Sequence, residues 1–198
     1  MTATTDPNDP RTLDDLKSAI LGTWTSLAVE LRPTEDRLGA GKVTPTYLRR
    51  RFTYNPDSTF VGVITMFADD YGQIPLLEFT FAGDMVWHGP HPIADGAFAV
   101  DYILNTEFAV TPLNPMSADM LNSEPVPGLA PFEAGTKASI LGKAFPMFGI
   151  AEGQTVGDYD LLYLHAGLLF MGAKHVDGTP FDRPENRPHQ LQIPLQRA

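Results

Sequence analysis

The chain has 198 residues, no cysteine, 43% hydrophobic and 19% charged residues, and a net charge of −10. Such a composition describes one globular domain that can bury a sizeable core without staples. It excludes disulfides, thiolate nucleophiles and cysteine-based metal sites, and it argues against nucleic acid or an anionic membrane surface as partner, since both select clustered Lys and Arg.

Residues 1–10 are polar, carry two prolines and are expected to be a disordered tail ahead of a single domain over 11–198. They hold no apolar secretory core, and no apolar run reaches the roughly 20 residues of a membrane helix. A cytoplasmic protein without membrane insertion is therefore the simplest expectation. "TLDDLKSAI" reads as a short amphipathic helix: Thr12 can cap it, Asp15 sits at the third helical position, and Leu13, Leu16 and Ile20 share a face.

"LGTWTSLAVEL" begins as a strand, and "RPTEDRLGAGK" reads as a loop. "TYLRRRFTY" alternates, with Leu48, Arg50, Phe52 and Tyr54 on one face and Tyr47, Arg49, Arg51 and Thr53 on the other. "NPDS" and "DDYGQIP" are turns around the apolar strand "FVGVITMFA". "LLEFTFAGDMVWHG" suggests a hairpin about Gly83-Asp84. "GAFAVDYILNTEFAVTP" has the clearest pattern: Phe98, Val100, Tyr102, Leu104, Phe108 and Val110 share one face, and Asp101, Asn105 and Glu107 the other. That is a long strand with one buried side. The Pro- and Gly-rich middle, from Leu113, should hold one short strand, one helical turn and a long loop. Short strands flank Ala166-Gly167, and "HQLQIPL" ends the series, with Pro194 confined to an edge or an end. Eight to ten strands in sequence, without alternating long helices, predict a mainly β protein: an antiparallel barrel, or a strongly curved sheet, with a short N-terminal helix. A small barrel of that size can enclose one small ligand.

Several residues carry possible chemistry. His88 and His91, in "WHGPHP", admit a shared metal, a rim turn, or a catalytic or ligand-contacting role; no third ligand stands nearby in sequence, so no metal is expected. Arg50 is the odd residue on its apolar face. It is a structural group paired within the fold, a partner for a ligand anion, or a surface group if the other face points inward. Glu78 stands among apolar neighbours and is either solvated or, if enclosed, a general acid or base. Asp69 and Asp70 belong together in a turn. The Tyr102 hydroxyl needs a partner if buried. Met66, Met85, Met147 and Met171 offer adaptable apolar lining or ordinary core. No phosphate loop and no Gly-x-Ser-x-Gly elbow occurs, and no cofactor is expected.

Two sets of motifs add a resemblance. "LGTW" (Leu21 to Trp24), where helix hands over to first strand, resembles the Gly-x-Trp opening of lipocalins and other calycins, whose Trp plugs a barrel end and often packs on an arginine. Glu30-x-Arg32-Pro33, the aromatic strand with Tyr47, Phe52 and Tyr54, the Asp70-Tyr71 turn, Gly96-Ala97 with Asp101-Tyr102, and the tail Arg187-Pro188, Gln192, Pro194-Leu195 follow one another in an order similar to the domain of the adenomatosis-polyposis-coli-down-regulated family. The resemblance spans about residues 20–197 and implies a calycin-like barrel with an apolar cavity suited to an acyl or similar chain. Animal members are secreted or membrane-tethered, carry cysteines and a second such domain, and antagonise lipid-modified Wnt signals. This sequence lacks those features, so Wnt binding is not implied.

The leading expectation is binding of a small hydrophobic molecule, with Arg50, Phe52, Tyr54, Trp87, His91 and Tyr102 as ligand contacts. A cofactor-independent isomerase or cyclase in the same cavity is the alternative, with His88 and Glu78 as catalytic candidates. A protein-interaction module using a strand edge or an apolar patch is the third reading.

Overall fold

Thr12 opens the first element as its sequence implies. Its backbone is extended and its hydroxyl accepts from the Asp15 amide at 3.2 Å, capping helix α1, Leu13–Ala19. The computed structural model describes residues 9–35, 43–145, 149–173, 175 and 179–198. Residues 1–8 of the expected tail and Met147 lie outside them, but Asp9 and Pro10 are fixed. The Asp9 carboxylate meets His165 Nδ1 at 2.5 Å and accepts from the Ala166 amide at 2.9 Å, and Pro10 is buried.

The described residues form a mainly β structure of ten strands. They are β1 (Gly22–Ser26), β2 (Glu30–Glu35), β3 (Val43–Tyr54), β4 (Thr59–Phe67), β5 (Pro75–Pro90), β6 (Ala97–Pro112), β7 (Ala138–Ser139), β8 (Val156–His165), β9 (Leu168–Met171) and β10 (Leu195–Arg197). A second short helix, α2 (Pro115–Asn122), follows β6; Asn114 caps it and Pro115 starts it. All pairings are antiparallel, and the hydrogen bonds close a ring through β1, β10, β9, β8, β6, β5, β4, β3 and back to β1. β2 adds to the first half of β3, and β7 to the second half of β6.

Alternation decides what faces the inside. On β3, Arg50, Phe52 and Tyr54 are buried; on β6, Phe98, Val100, Tyr102, Leu104, Phe108 and Val110 are. Asn105 and Thr106 are exposed, and Asp101 and Glu107 half-buried. Trp24 is fully buried, donates its Nε1 to the Ile20 carbonyl at 2.7 Å and so ties α1 to the ring. An arginine does lie over the Trp24 ring, 4.6 Å from its centroid, but it is Arg197 of β10 and not Arg50.

Two sequence expectations are corrected. "RPTE" is not loop: Arg32 to Glu35 extend β2 against Val43 to Thr46, and residues 36–42 lie outside the described set. Gly83-Asp84 is not a hairpin: β5 runs through it unbroken for 16 residues. The register against β6 slips there, with Ala82 opposite Glu107 and Asp84 opposite Ile103. At Gly83 a Cβ would collide with the Ile103 carbonyl and the Asn105 amide. The glycine thus permits a close backbone approach at a bulge, a use of glycine in strands that a turn signal imitates. Asp69, by contrast, sits in a turn as expected and accepts the Tyr71, Gln73 and Ile74 amides. No helix among the described residues is long and apolar enough to cross a membrane.

Candidate functional site

The inward rows of β3, β4, β5 and β6 bring five aromatic rings together. Phe60 meets Tyr102 edge-on at 4.7 Å, Phe52 meets Phe81 at 5.7 Å and stacks on Tyr54 at 6.2 Å. The hydroxyls of Tyr54 and Tyr102 share a hydrogen bond of 3.1 Å, which satisfies both phenols in an apolar setting. Burial pushes both phenol pKa values up, so the pair stays neutral.

One step along the same row of β3, Arg50 is enclosed with its counter-charge. Its Nε donates to Glu30 Oε1 at 2.8 Å and its Nη2 to the Ile193 carbonyl at 2.6 Å. Ser26 donates to the same Glu30 oxygen at 2.6 Å and accepts from the Arg50 amide at 2.8 Å. Arg32 donates to Glu30 Oε2 at 2.6 Å and also binds Gln192. Burial alone would raise the Glu30 carboxyl, but Arg50, Ser26 and Arg32 hold it below the usual carboxylate range. The cluster therefore holds two guanidiniums against one ionised carboxylate.

Asp160 of β8 is a second inward carboxyl. Its Oδ1 accepts from the Leu161 amide at 2.7 Å and the Gly172 amide at 2.8 Å. Burial raises its pKa to about 7 in spite of those bonds and of the nearby Arg50 charge. Sequence reasoning passed over it, although it shares the parity of Leu162 and Leu164 in "DYDLLYLH" and could have been assigned to the buried face on that count.

Trp87 faces inward at the end that α1 covers. Its indole Nε1 is buried and has no hydrogen-bond partner among the described residues. It lines a void of about 40 Å³ with Tyr54, Met85 and Ile20, which is room for a water molecule and not for a ligand. Lys17 of α1 lies 5.6 Å from the Trp87 ring centroid.

The structure thus gathers Arg50, Phe52, Tyr54, Trp87 and Tyr102 inside the ring. It leaves the other three candidates outside that group. Glu78 is half-buried between Thr65 and Thr111, on the face opposite to Leu77 and Phe79. His88 is 43% exposed and bonds Asp101 at 2.6 Å, and Asp101 in turn binds Arg187 at 2.6 Å. His91 is buried in the turn after β5, where its Nδ1 accepts from the Ile93 amide at 3.3 Å. Among the described residues no three His, Asp or Glu side chains stand close enough together to hold a metal ion.

Residues far apart in sequence meet in pairs here: Arg32 with Gln192, Asp101 with Arg187, Tyr54 with Tyr102. Arg187 also donates to the Val100 and Asp160 carbonyls and lies over the Tyr159 ring. The tail that carries Arg187 and Gln192 is therefore fastened to both faces of the sheet. No protein-family model matches this chain, and no curated protein matches it at a significant level.

Proposed function

We propose that the chain is a calycin-like barrel, of the kind that its Gly-x-Trp and Arg-Pro motifs resemble, and that it binds a small, largely apolar molecule inside the ring. One observation carries this reading. Leu48, Ile64 and Met66 stand on the same inward rows as Arg50, Phe52, Tyr54 and Phe60, yet they remain half-exposed where those neighbours are buried. An apolar wall with accessible surface, bordered by a few polar groups, is the ordinary make-up of a small-molecule site. Arg32, whose side chain is 22% exposed, stands at its border and belongs to a cluster with more guanidinium than carboxylate. The ligand that suits this arrangement is an amphiphile with an anionic or strongly polar end toward Arg32 and an apolar body along Leu48, Ile64 and Met66.

Titration with cis-parinaric acid, and with the matching alcohol, tests the proposal. Saturable 1:1 binding is expected, with Arg32→Gln weakening the acid about tenfold and the alcohol little. Ile64→Trp should fill the space and abolish both. Absence of saturable binding, or binding undiminished in Ile64→Trp, removes the proposal.

A second reading rests on Asp160. A buried carboxyl whose pKa lies near 7 can move a proton at neutral pH, which an isomerase or cyclase acting on the enclosed molecule would use. In that reading the acid–base group is Asp160 rather than His88 or Glu78. Turnover of a bound substrate that survives Asp160→Asn would count against it.

A further inference from the structure

Beside the turn between β5 and β6, apart from Leu48, Ile64 and Met66, the N-terminal segment borders a second cavity. Asp9 pins that segment to the β8–β9 turn through His165 and the Ala166 amide. Pro10 then presses its carbonyl against Gly96, which has φ +86° and no room for a Cβ. The hollow left beneath is about 620 Å³, within the size range of small-molecule sites. Its apolar walls are Pro90, Pro92, Phe98 and Tyr163.

Besides Asp9, which His165 and the Ala166 amide hold, three charged or titratable side chains with no such partner border it. His91 is 7% exposed. Because the Ile93 amide donates to its Nδ1, the neutral ring carries its proton on Nε2. Burial, with the Arg187 and His189 charges nearby, lowers the His91 pKa and keeps it in that neutral form. The Nε2–H has no acceptor among the described residues, and His91 lines the cavity. That N–H is therefore open to an oxygen supplied from the cavity. Arg11 and Asp95 also line the cavity, and neither makes an ion pair or a hydrogen bond among the described residues.

A guanidinium, an imidazole N–H and a carboxylate, none engaged by another described side chain, thus border one hollow with aromatic and prolyl walls. We infer that this cavity binds a small zwitterion, an apolar α-amino acid or dipeptide, with its carboxylate at Arg11 and His91, its ammonium at Asp95, and its side chain on Phe98 and Tyr163.

The test is calorimetric titration of the full chain with L-phenylalanine and with the dipeptide Leu-Phe, beside the N-acetylated and C-amidated forms of each. Saturable binding of at least one free zwitterion is expected, with about tenfold loss on blocking either end. Arg11→Gln should erase the difference between free and amidated forms, and Asp95→Asn that between free and acetylated forms. Both residues are at the surface of the cavity, so each variant should keep the parent melting curve. Nitrogen-15 amide shifts should localise the response to residues 90–98 and spare β3 and β4, which separates this site from the interior one. No saturable binding by either zwitterion, equal binding of the capped compounds, or shifts confined to β3 and β4 would each overturn the inference.

Discussion

Replacing Asp160 by Asn isolates one buried carboxyl. Asn keeps an oxygen for the Leu161 and Gly172 amides but cannot ionise. In the folded chain the Asp160 pKa is about 7, against 3.8 for an ordinary aspartate. The folded state thus holds a proton that the unfolded state releases, and between those two values stability must fall as pH rises. Its contribution is fully present below about pH 4, declines through neutrality and is level above about pH 8. At about 1.4 kcal/mol for each pH unit of displacement, the full effect approaches about 4 kcal/mol, and the part between pH 5 and pH 8 is about 2.5 kcal/mol. Urea unfolding of parent and variant at those two pH values measures it. The difference in unfolding free energy, variant minus parent, should increase by about 2.5 kcal/mol from pH 5 to pH 8. Every other titrating group enters both proteins and cancels. A difference that stays constant with pH would show that Asp160 is ionised in the fold at pH 5, and the account of its enclosure would be wrong.

Three further outcomes are expected. Glu30→Gln leaves Arg50 enclosed without its counter-charge, so denaturation should show a loss of about 3–5 kcal/mol, whereas Glu107→Gln, at the half-exposed Lys137 pair, should change stability by less than about 1 kcal/mol. Gly83→Ala drives a methyl into the Ile103 carbonyl and should destabilise by about 2 kcal/mol or more in the same assay, while Gly89→Ala, which meets nothing, should be nearly neutral. Protonation of Asp160 removes a negative charge near Arg50, so an anionic probe in the ring should bind more tightly as pH falls from 8 to 6, and Asp160→Asn should flatten that slope. A neutral probe should show no such slope in either protein.

What could be read from the sequence followed from periodicity and from caps. The alternation of Phe98 to Val110 gave β6 and its buried side, the alternation of Leu48 to Tyr54 put Arg50 with the aromatic row, and Thr12 placed the helix start. What could not be read depended on partners distant in the chain. Gly83 carries the same local signal in a hairpin and in a bulge; the approach of Ile103, twenty residues on, decides between them. Arg50 could be recognised as needing a counter-charge, but Glu30 is supplied by a strand pairing that alternation alone does not predict. Trp24 announced its arginine, and either Arg50 or Arg197 would have satisfied the pattern. His88 and Glu78 attracted attention as chemistry-bearing types, and both fell on the outer parity of β5. Asp160 was overlooked because a single acid in an apolar run looks like an exposed alternate, and only the count of residues to Leu162 and Leu164 shows otherwise.

The closure of the ring has a consequence for folding. Trp24 of β1 is paired with Arg197 of β10, 173 positions further along. Until that pairing forms, β1 and β9 both present unpaired backbone edges, which are templates for pairing with other chains. Before β10 pairs, the sheet is open with two free borders, and this three-residue strand is the seam that removes both. Contacts of such long sequence separation form slowly. A chain of this design therefore leaves its most vulnerable state only when one three-residue strand has found both of its neighbours.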